Sequence, residues 1–297
     1  MCRMSVLIAT QGTLSKAEVS SQYQHLQRMA TGSNSYPFRF GDFTTDTTYP
    51  LDQKLYHGDG FGYYFSGSKT HLAKSPHAVY HTGSKNIIET FPETGTVSLF
   101  HARFATQGNK NIINNAPFDL ECIVGAHNGT VSGLARGDKS DSHHIMEVFN
   151  KYLSQHSPID VPLLEKTIIE QIVEPSSGYG AMNLIIKLKK QGKILVLCSY
   201  GSTGAKTPAA KGYYHMVITS NGRRVYISSE TDHGKVVSYG KKMITRNHTL
   251  YVIDEKTGKI TEHRLSDLEK AVNKKNTKKK SNAKPEERRT PLKRKAA

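Results

Sequence analysis

Residues 182–200 read Met-Asn-Leu-Ile-Ile-Lys-Leu-Lys-Lys-Gln-Gly-Lys-Ile-Leu-Val-Leu-Cys-Ser-Tyr. Two apolar runs, Met182–Lys189 and Lys193–Tyr200, flank Gln191-Gly192. Short β-rich runs joined by a glycine-containing turn mark a hairpin. The pattern recurs: Asn221-Gly222 separates Tyr213–Ser220 from Arg223–Ser229, and Lys256-Thr257-Gly258 follows Leu250–Asp254. Further extended segments are read at Met4–Ala9, Phe61–Ser66, Ala78–His81, Thr96–Thr106 and Cys122–His127. Helical signals are fewer. Ser15-Lys-Ala-Glu18 is a capping box that opens a helix to about Ala30. Asp141 to Leu153 places Ile145, Val148, Phe149 and Tyr152 on one face, and Val161 to Val173 is entered through Asp160 and Pro162. Hairpins interrupted by a few helices predict an α+β fold with antiparallel sheets, not alternating βαβ units.

The chain has 297 residues and a formal net charge of +16. Its longest apolar runs, such as Ile194–Cys198, fall far short of the ~20 residues a membrane helix needs. Cys2, Cys122 and Cys198 cannot build a disulfide framework, and the apolar stretch after Arg3 stops at Thr10, too early for a secretory signal. The expectation is a cytoplasmic protein. Charge is unevenly spread: Lys270–Ala297 carries a net +10, the rest of the chain only +6. Two domains follow from this, a folded body over 2–267 and a basic, disordered tail over 268–297. Such a tail suits a polyanion, either nucleic acid or an acidic partner.

Several motifs lead nowhere. Gly58-Asp-Gly60-Phe-Gly62 runs into Tyr63-Tyr64-Phe65, a strand, so it is no dinucleotide fingerprint. Gly201-Ser-Thr-Gly204-Ala-Lys206-Thr207 lacks the spacing of a phosphate loop. Fourteen histidines form no His-Glu-x-x-His motif and there is no Cys-x-x-Cys pair. Neither a metal nor a cofactor is expected.

Four segments point to chemistry. Cys2 follows the initiator Met, and removal of Met1 leaves a thiol and an α-amine on one residue. With a pKa of ~7.7–8.0, that amine can act as base for its own thiol. His101-Ala-Arg103-Phe-Ala-Thr106 ends a strand with a guanidinium fork that matches a carboxylate. Asn128-Gly129 offers a side-chain amide and a backbone N–H at one place, as an oxyanion hole requires. Ser140-Asp141-Ser142 opens a helix and presents a carboxylate suited to an ammonium group. Taken singly, these read as a chance cysteine, a surface arginine, a turn and a helix cap.

In this order, the segments resemble the class II glutamine amidotransferases, a family of N-terminal nucleophile hydrolases. The resemblance runs from Cys2 through Phe118 and Asn128-Gly129 to Asp141. It continues more weakly through Ser177–Met182, Val225–Glu230 and Asn247–Tyr251. It implies a four-layer αββα sandwich of two antiparallel sheets. It also implies catalytic roles for Cys2, Asn128 and Gly129, with Arg103 and Thr106 binding the α-carboxylate of glutamine and Asp141 its α-ammonium. Cys2-Arg3 and His57–Gly62 look like the stand-alone branch, which includes hydrolases of γ-glutamyl thiols and peptides. Ala116 stands where Asn-x-His-Pro-Phe often carries His, and Gln107 follows Thr106 where sugar-synthase relatives carry His. Both differences bear on the substrate beyond its γ-glutamyl end. The expected ligand is glutamine or a γ-glutamyl small molecule, with ammonia passing to an unidentified acceptor or a synthase partner. Two alternatives are a γ-glutamyl conjugate hydrolase and an inactive domain that binds nucleic acid through its tail.

Overall fold

Alternation along the first strand sets the layers. In a computed structural model, β1 (Arg3–Ala9) is buried along its whole length. Met4, Val6 and Ile8 belong to one core and Leu7 and Ala9 to another. A strand sends successive side chains to opposite faces, so β1 lies in a sheet covered on both sides. The structure describes residues 2–32, 39, 56–81, 84–106, 109–201, 212–229 and 239–282.

The elements follow in the order α1 (Lys16–Ala30), β2 (Phe61–Ser66), β3 (His71–Ser75), α2 (Ser84–Glu89), β4 (Val97–Ala102), β5 (Phe118–Asp119) and β6 (Ile123–Ser132). Next come α3 (Asp141–Gln155), α4 (Val161–Ile168), β7 (Gly178–Leu188), β8 (Lys193–Cys198), β9 (Val217–Ser220) and β10 (Arg224–Ser228). The last are β11 (Lys241–Ile244), β12 (Thr249–Asp254), β13 (Ile260–Arg264) and α5 (Ser266–Asn282). They build a seven-stranded sheet, β11-β9-β10-β1-β4-β2-β3, and a six-stranded sheet, β13-β12-β8-β7-β6-β5. The strand pairings are antiparallel, and the β7–β8, β9–β10 and β12–β13 hairpins turn where Gln191-Gly192, Asn221-Gly222 and Lys256–Gly258 stand.

Helix α1 begins with the expected capping box, Ser15 accepting from Glu18 N–H and Glu18 from Ser15 N–H. It lays Val19, Tyr23 and Leu26 on the outer face of the first sheet, where Tyr23 meets Phe61 and Phe100 edge-on at ring separations of 5.7 and 5.5 Å. On the far side of the second sheet, α3 brings Met146 so close to Gly125 that a Cβ there would lie 2.7 Å from its sulfur. Between the sheets, the inner face of β1 and β4 joins the core of β6, β7 and β8. The result is a four-layer αββα sandwich in the α+β class.

The structure departs from the sequence reading in several places. Residues 78–81 form a turn, and β3 supplies the neighbouring strand. Residues 212–214 are helical, so β9 starts only at Val217. The body does not stop at 267. Helix α5 buries Leu268 and Val272 against α4 and β7, and Glu165 Oε1 accepts from the N–H groups of Asp267 and Leu268 at 2.9 Å each. An i, i+4 apolar pair and a side-chain cap therefore order a segment that its lysines mark as tail. The remainder of that expected tail, 283–297, lies outside the described residues. Among the described residues, no helix is long and apolar enough to cross a membrane.

Candidate active site

The first sheet brings two distant residues together. Cys2 stands directly before β1, and Arg103 directly after β4. The two strands are neighbours in a register that pairs Arg3 with Ala102. Arg103 is held on the backbone by the segment after His57: Asp59 N–H donates to its carbonyl at 3.0 Å, and its own N–H donates to Gly60 O at 2.9 Å. Asp59 also accepts from Ala105 N–H at 2.9 Å and pairs with Lys110 at 2.7 Å. Gly60, at φ +136°, lies under the Asn115 amide, which a Cβ would strike at 2.2 Å. The glycine-rich motif thus clamps the arginine loop.

The second sheet contributes one continuous stretch. Asn128 and Gly129 do not end a strand in a turn, as the sequence suggests; β6 runs on to Ser132, pairing Asn128 with Asn183 and Gly129 with Met182. Glycine is required at 129 because a Cβ would stand 2.0 Å from Ala181 O on the adjoining strand. That close approach keeps the strand continuous through an apparent turn signal.

Asn128 joins the two halves. Its Oδ1 accepts from the Cys2 nitrogen at 2.7 Å. Its Nδ2 is buried and has no hydrogen-bond partner. The Cys2 thiol lies 3.8 Å from Phe104 O, and the Tyr213 hydroxyl lies 3.5 Å from Cys2 O and 3.1 Å from His57 Nε2. The Arg3 guanidinium rests over the Tyr213 ring at 3.8 Å. The backbone of the proposed nucleophile is therefore held from both sides.

Asp141 is the first residue of α3 and is almost wholly buried. Its Oδ2 accepts from Val131 N–H at 2.8 Å and its Oδ1 from Ser142 N–H at 2.9 Å. Ser140 is the N-cap, but its hydroxyl makes no cap hydrogen bond. The Arg103 guanidinium donates to Asn109 O at 3.0 Å, and more weakly to Asn111 O and Asn115 Oδ1, both at 3.4 Å. Burial lowers its affinity for its proton, and the nearby Cys2, Asp59 and Asp141 oppose that effect. The Thr106 hydroxyl meets that of Thr130 at 2.8 Å.

Cys2, Arg103, Thr106, Gly129 and Asp141 all line one cavity open to solvent, and Asn128 is hydrogen-bonded to the Cys2 nitrogen. Several residues to which sequence reasoning gives no role share its wall, among them His101, His127, Asn114 and Phe118. His101 is pushed down to about 3 by burial and then by the Arg103 charge. Burial also lowers His127, with Asp141 opposing, and its Nδ1 lies 2.8 Å from Ser142 Oγ. Both imidazoles are thus neutral near pH 7 and add no cation beside Asp141. A signal did exist for them: each lies within two residues of a quoted motif residue.

No protein-family model and no curated protein matches the chain. Solved structures similar to it include the glutamine phosphoribosylpyrophosphate amidotransferase from B. subtilis, at 13% identity over 89% of this chain and 49% of that one, with TM-score 0.46. Another is a glutamine aminotransferase class-II domain protein from Silicibacter pomeroyi, at 13% identity over 89% and 99% of the two chains, with TM-score 0.46. A third is a predicted glutamine amidotransferase from Pseudomonas aeruginosa PA01, at 12% identity over 87% and 98%, with TM-score 0.40. Of the three, only the Silicibacter pomeroyi protein is described as class-II. The chain spans about half the length of the B. subtilis enzyme. At such identities and TM-scores, the chemistry proposed below rests on the geometry of this site.

Proposed function

We propose that the protein hydrolyses the γ-amide of glutamine through Cys2 once Met1 has been removed. The observation that carries this reading is the contact between the Cys2 nitrogen and Asn128 Oδ1, with the buried Asn128 Nδ2 donor left without a hydrogen-bond partner. In the trimmed chain that nitrogen becomes an α-amine already fixed in place, and it takes the thiol proton as sulfur attacks the amide carbon. The carbonyl oxygen turns into an oxyanion held by Asn128 Nδ2 and the Gly129 N–H. The C–N bond then breaks, the Cys2 ammonium protonates the leaving nitrogen, and ammonia departs. Water, deprotonated by the same amine, cleaves the thioester to give glutamate and the free thiol. Arg103, assisted by Thr106, grips the α-carboxylate, and Asp141 the α-ammonium. No cofactor enters this sequence of steps.

Ammonia passes to an acceptor or to a synthase partner, and residues 283–297 with the lysines of α5 offer a contact for nucleic acid or an acidic partner. The test is glutamate release by trimmed protein, its N-terminus verified by mass spectrometry, from glutamine and from a panel of γ-glutamyl conjugates. Glutamate and ammonia from free glutamine are expected. Cys2→Ala is expected to lower release by about four orders of magnitude or more, because removal of a nucleophile disables the whole catalytic unit. Retained hydrolysis in that variant would falsify the assignment. Release of an amine from a conjugate with free glutamine untouched would replace it by the γ-glutamyl hydrolase reading.

A further inference from the structure

On the reading above, we infer that Asn114 is a positioning residue that sets the separation between the Arg103 and Asp141 clamps. It would thereby set selectivity for a substrate end that bears both an α-carboxylate and an α-ammonium. Asn114 closes a 3₁₀ turn over Ile112–Asn114 and is almost fully buried in the cavity wall. Its Nδ2 lies 3.1 Å from Asn109 O, 2.9 Å from Asn111 Oδ1 and 2.7 Å from Asp138 O. Its Oδ1 accepts from Ser140 N–H at 2.8 Å. These partners fix the orientation of the amide, since a flipped group would set its oxygen against three acceptors.

The partners fall into two groups. Asn109 and Asn111 supply the carbonyls to which the Arg103 guanidinium donates, and Asn115, its third acceptor, is the next residue along the chain. Asp138 and Ser140 lead directly into Asp141. One side-chain amide therefore fastens the loop that braces the cation to the segment that carries the anion. An exposed bond from Asn109 Nδ2 to Asp138 Oδ1, 2.7 Å, runs parallel to this tie. Being open to water, it holds the separation less firmly than the buried tie. A zwitterion gripped at both ends is sensitive to that separation in a way that a substrate with one charge is not. Misplacement of about 1 Å at such a site is enough to cost ~10²-fold.

The experiment measures steady-state kinetics for glutamine and for two γ-amides, one without the α-amine and one without the α-carboxylate, in wild-type, Asn114→Ala, Asn114→Asp and Asn111→Ala proteins. Asn111→Ala removes one of the three acceptors and no cavity-filling group of Asn114, so it reports even where the larger changes compromise folding, which thermal unfolding will reveal. For folded Asn114 variants we expect KM for glutamine to rise about tenfold or more, with kcat within about twofold. Their preference for glutamine over each singly charged amide should fall by a similar factor, and Asn111→Ala should shift the same ratio by about two- to threefold. An equal loss on all three substrates, or an unchanged preference in folded variants, would overturn the role of Asn114. A wild-type protein that releases no glutamate from glutamine would instead overturn the glutaminase reading itself.

Discussion

The two sheets furnish matching halves of the candidate site by opposite routes. In the first, Cys2 and Arg103 are a hundred residues apart and meet because β1 and β4 pair with Arg3 opposite Ala102. In the second, Asn128, Gly129 and Asp141 come from one stretch, β6 and the turn into α3. On the proposed reading, the first half holds Cys2 and the second Asn128 and Gly129 for the reaction, and each holds one group for a substrate charge. The cation lies on the first half and the anion on the second. On that reading a zwitterion with a reactive side chain has one orientation in which all its parts are met, and the Cys2–Asn128 and Thr106–Thr130 contacts join the halves.

Substitutions can break this symmetry in distinguishable ways. On the second sheet, Asn128→Ala removes the unpartnered donor and the acceptor for the Cys2 nitrogen. We expect kcat to fall by about 10²–10³, the usual cost of one oxyanion donor, with little change in KM. A change confined to KM would place Asn128 in binding instead. The charged clamps come next. Arg103→Ala and Asp141→Ala should each lower kcat/KM by about 10², mainly through KM, as expected for the loss of one partner of a buried charge pair. Substrates that lack the matching charge should be spared by the corresponding variant, and equal damage to every substrate would mean structural collapse rather than a lost clamp.

The smallest expected effect concerns the buried histidines that flank the seam. His101, at about 3, and His127 bind a proton less readily in the folded chain than at the ordinary value of 6.5. The unfolded chain therefore holds more protons as the pH drops below 6.5. The stability tied to these groups is fully present above that pH and falls as the pH drops below it, for His101 down to about 3, by at most about 1.4 kcal/mol per pH unit for each histidine. Urea unfolding at a series of pH values should show the decline. His101→Gln should flatten its slope, and an unaltered slope would remove His101 from the account.

The halves also differ in how well the sequence announces them. The strand-end Arg103, the Asn128-Gly129 pair and Asp141 at a helix start are short signals, legible because each combines a special backbone position with a reactive group. Cys2 is legible because it stands second in the sequence, behind Met1. Hairpin turns such as Gln191-Gly192 reveal antiparallel sheets, but nothing local states that β1 lies between β10 and β4, since that pairing is settled by packing on both faces. Asn114 is illegible for a related reason: two of its four hydrogen bonds go to Asp138 and Ser140, residues that become neighbours only when α3 docks. The α5 helix is hidden because its lysines outweigh Leu268 and Val272 in composition, although these two side chains and the Glu165 cap anchor it.

The central claim is that the sulfur of Cys2 is the nucleophile and that its own amine activates it. The most direct measurement treats trimmed protein, and protein in which Met1 is retained, with a glutamine analogue bearing an electrophilic carbon in place of the γ-amide. Intact mass and peptide mapping then locate the adduct. The account predicts one adduct, on Cys2, in the trimmed protein, with labelling suppressed when Met1 remains. Adducts on Cys122 or Cys198, or equal labelling of Cys2 whether or not Met1 is present, would contradict it.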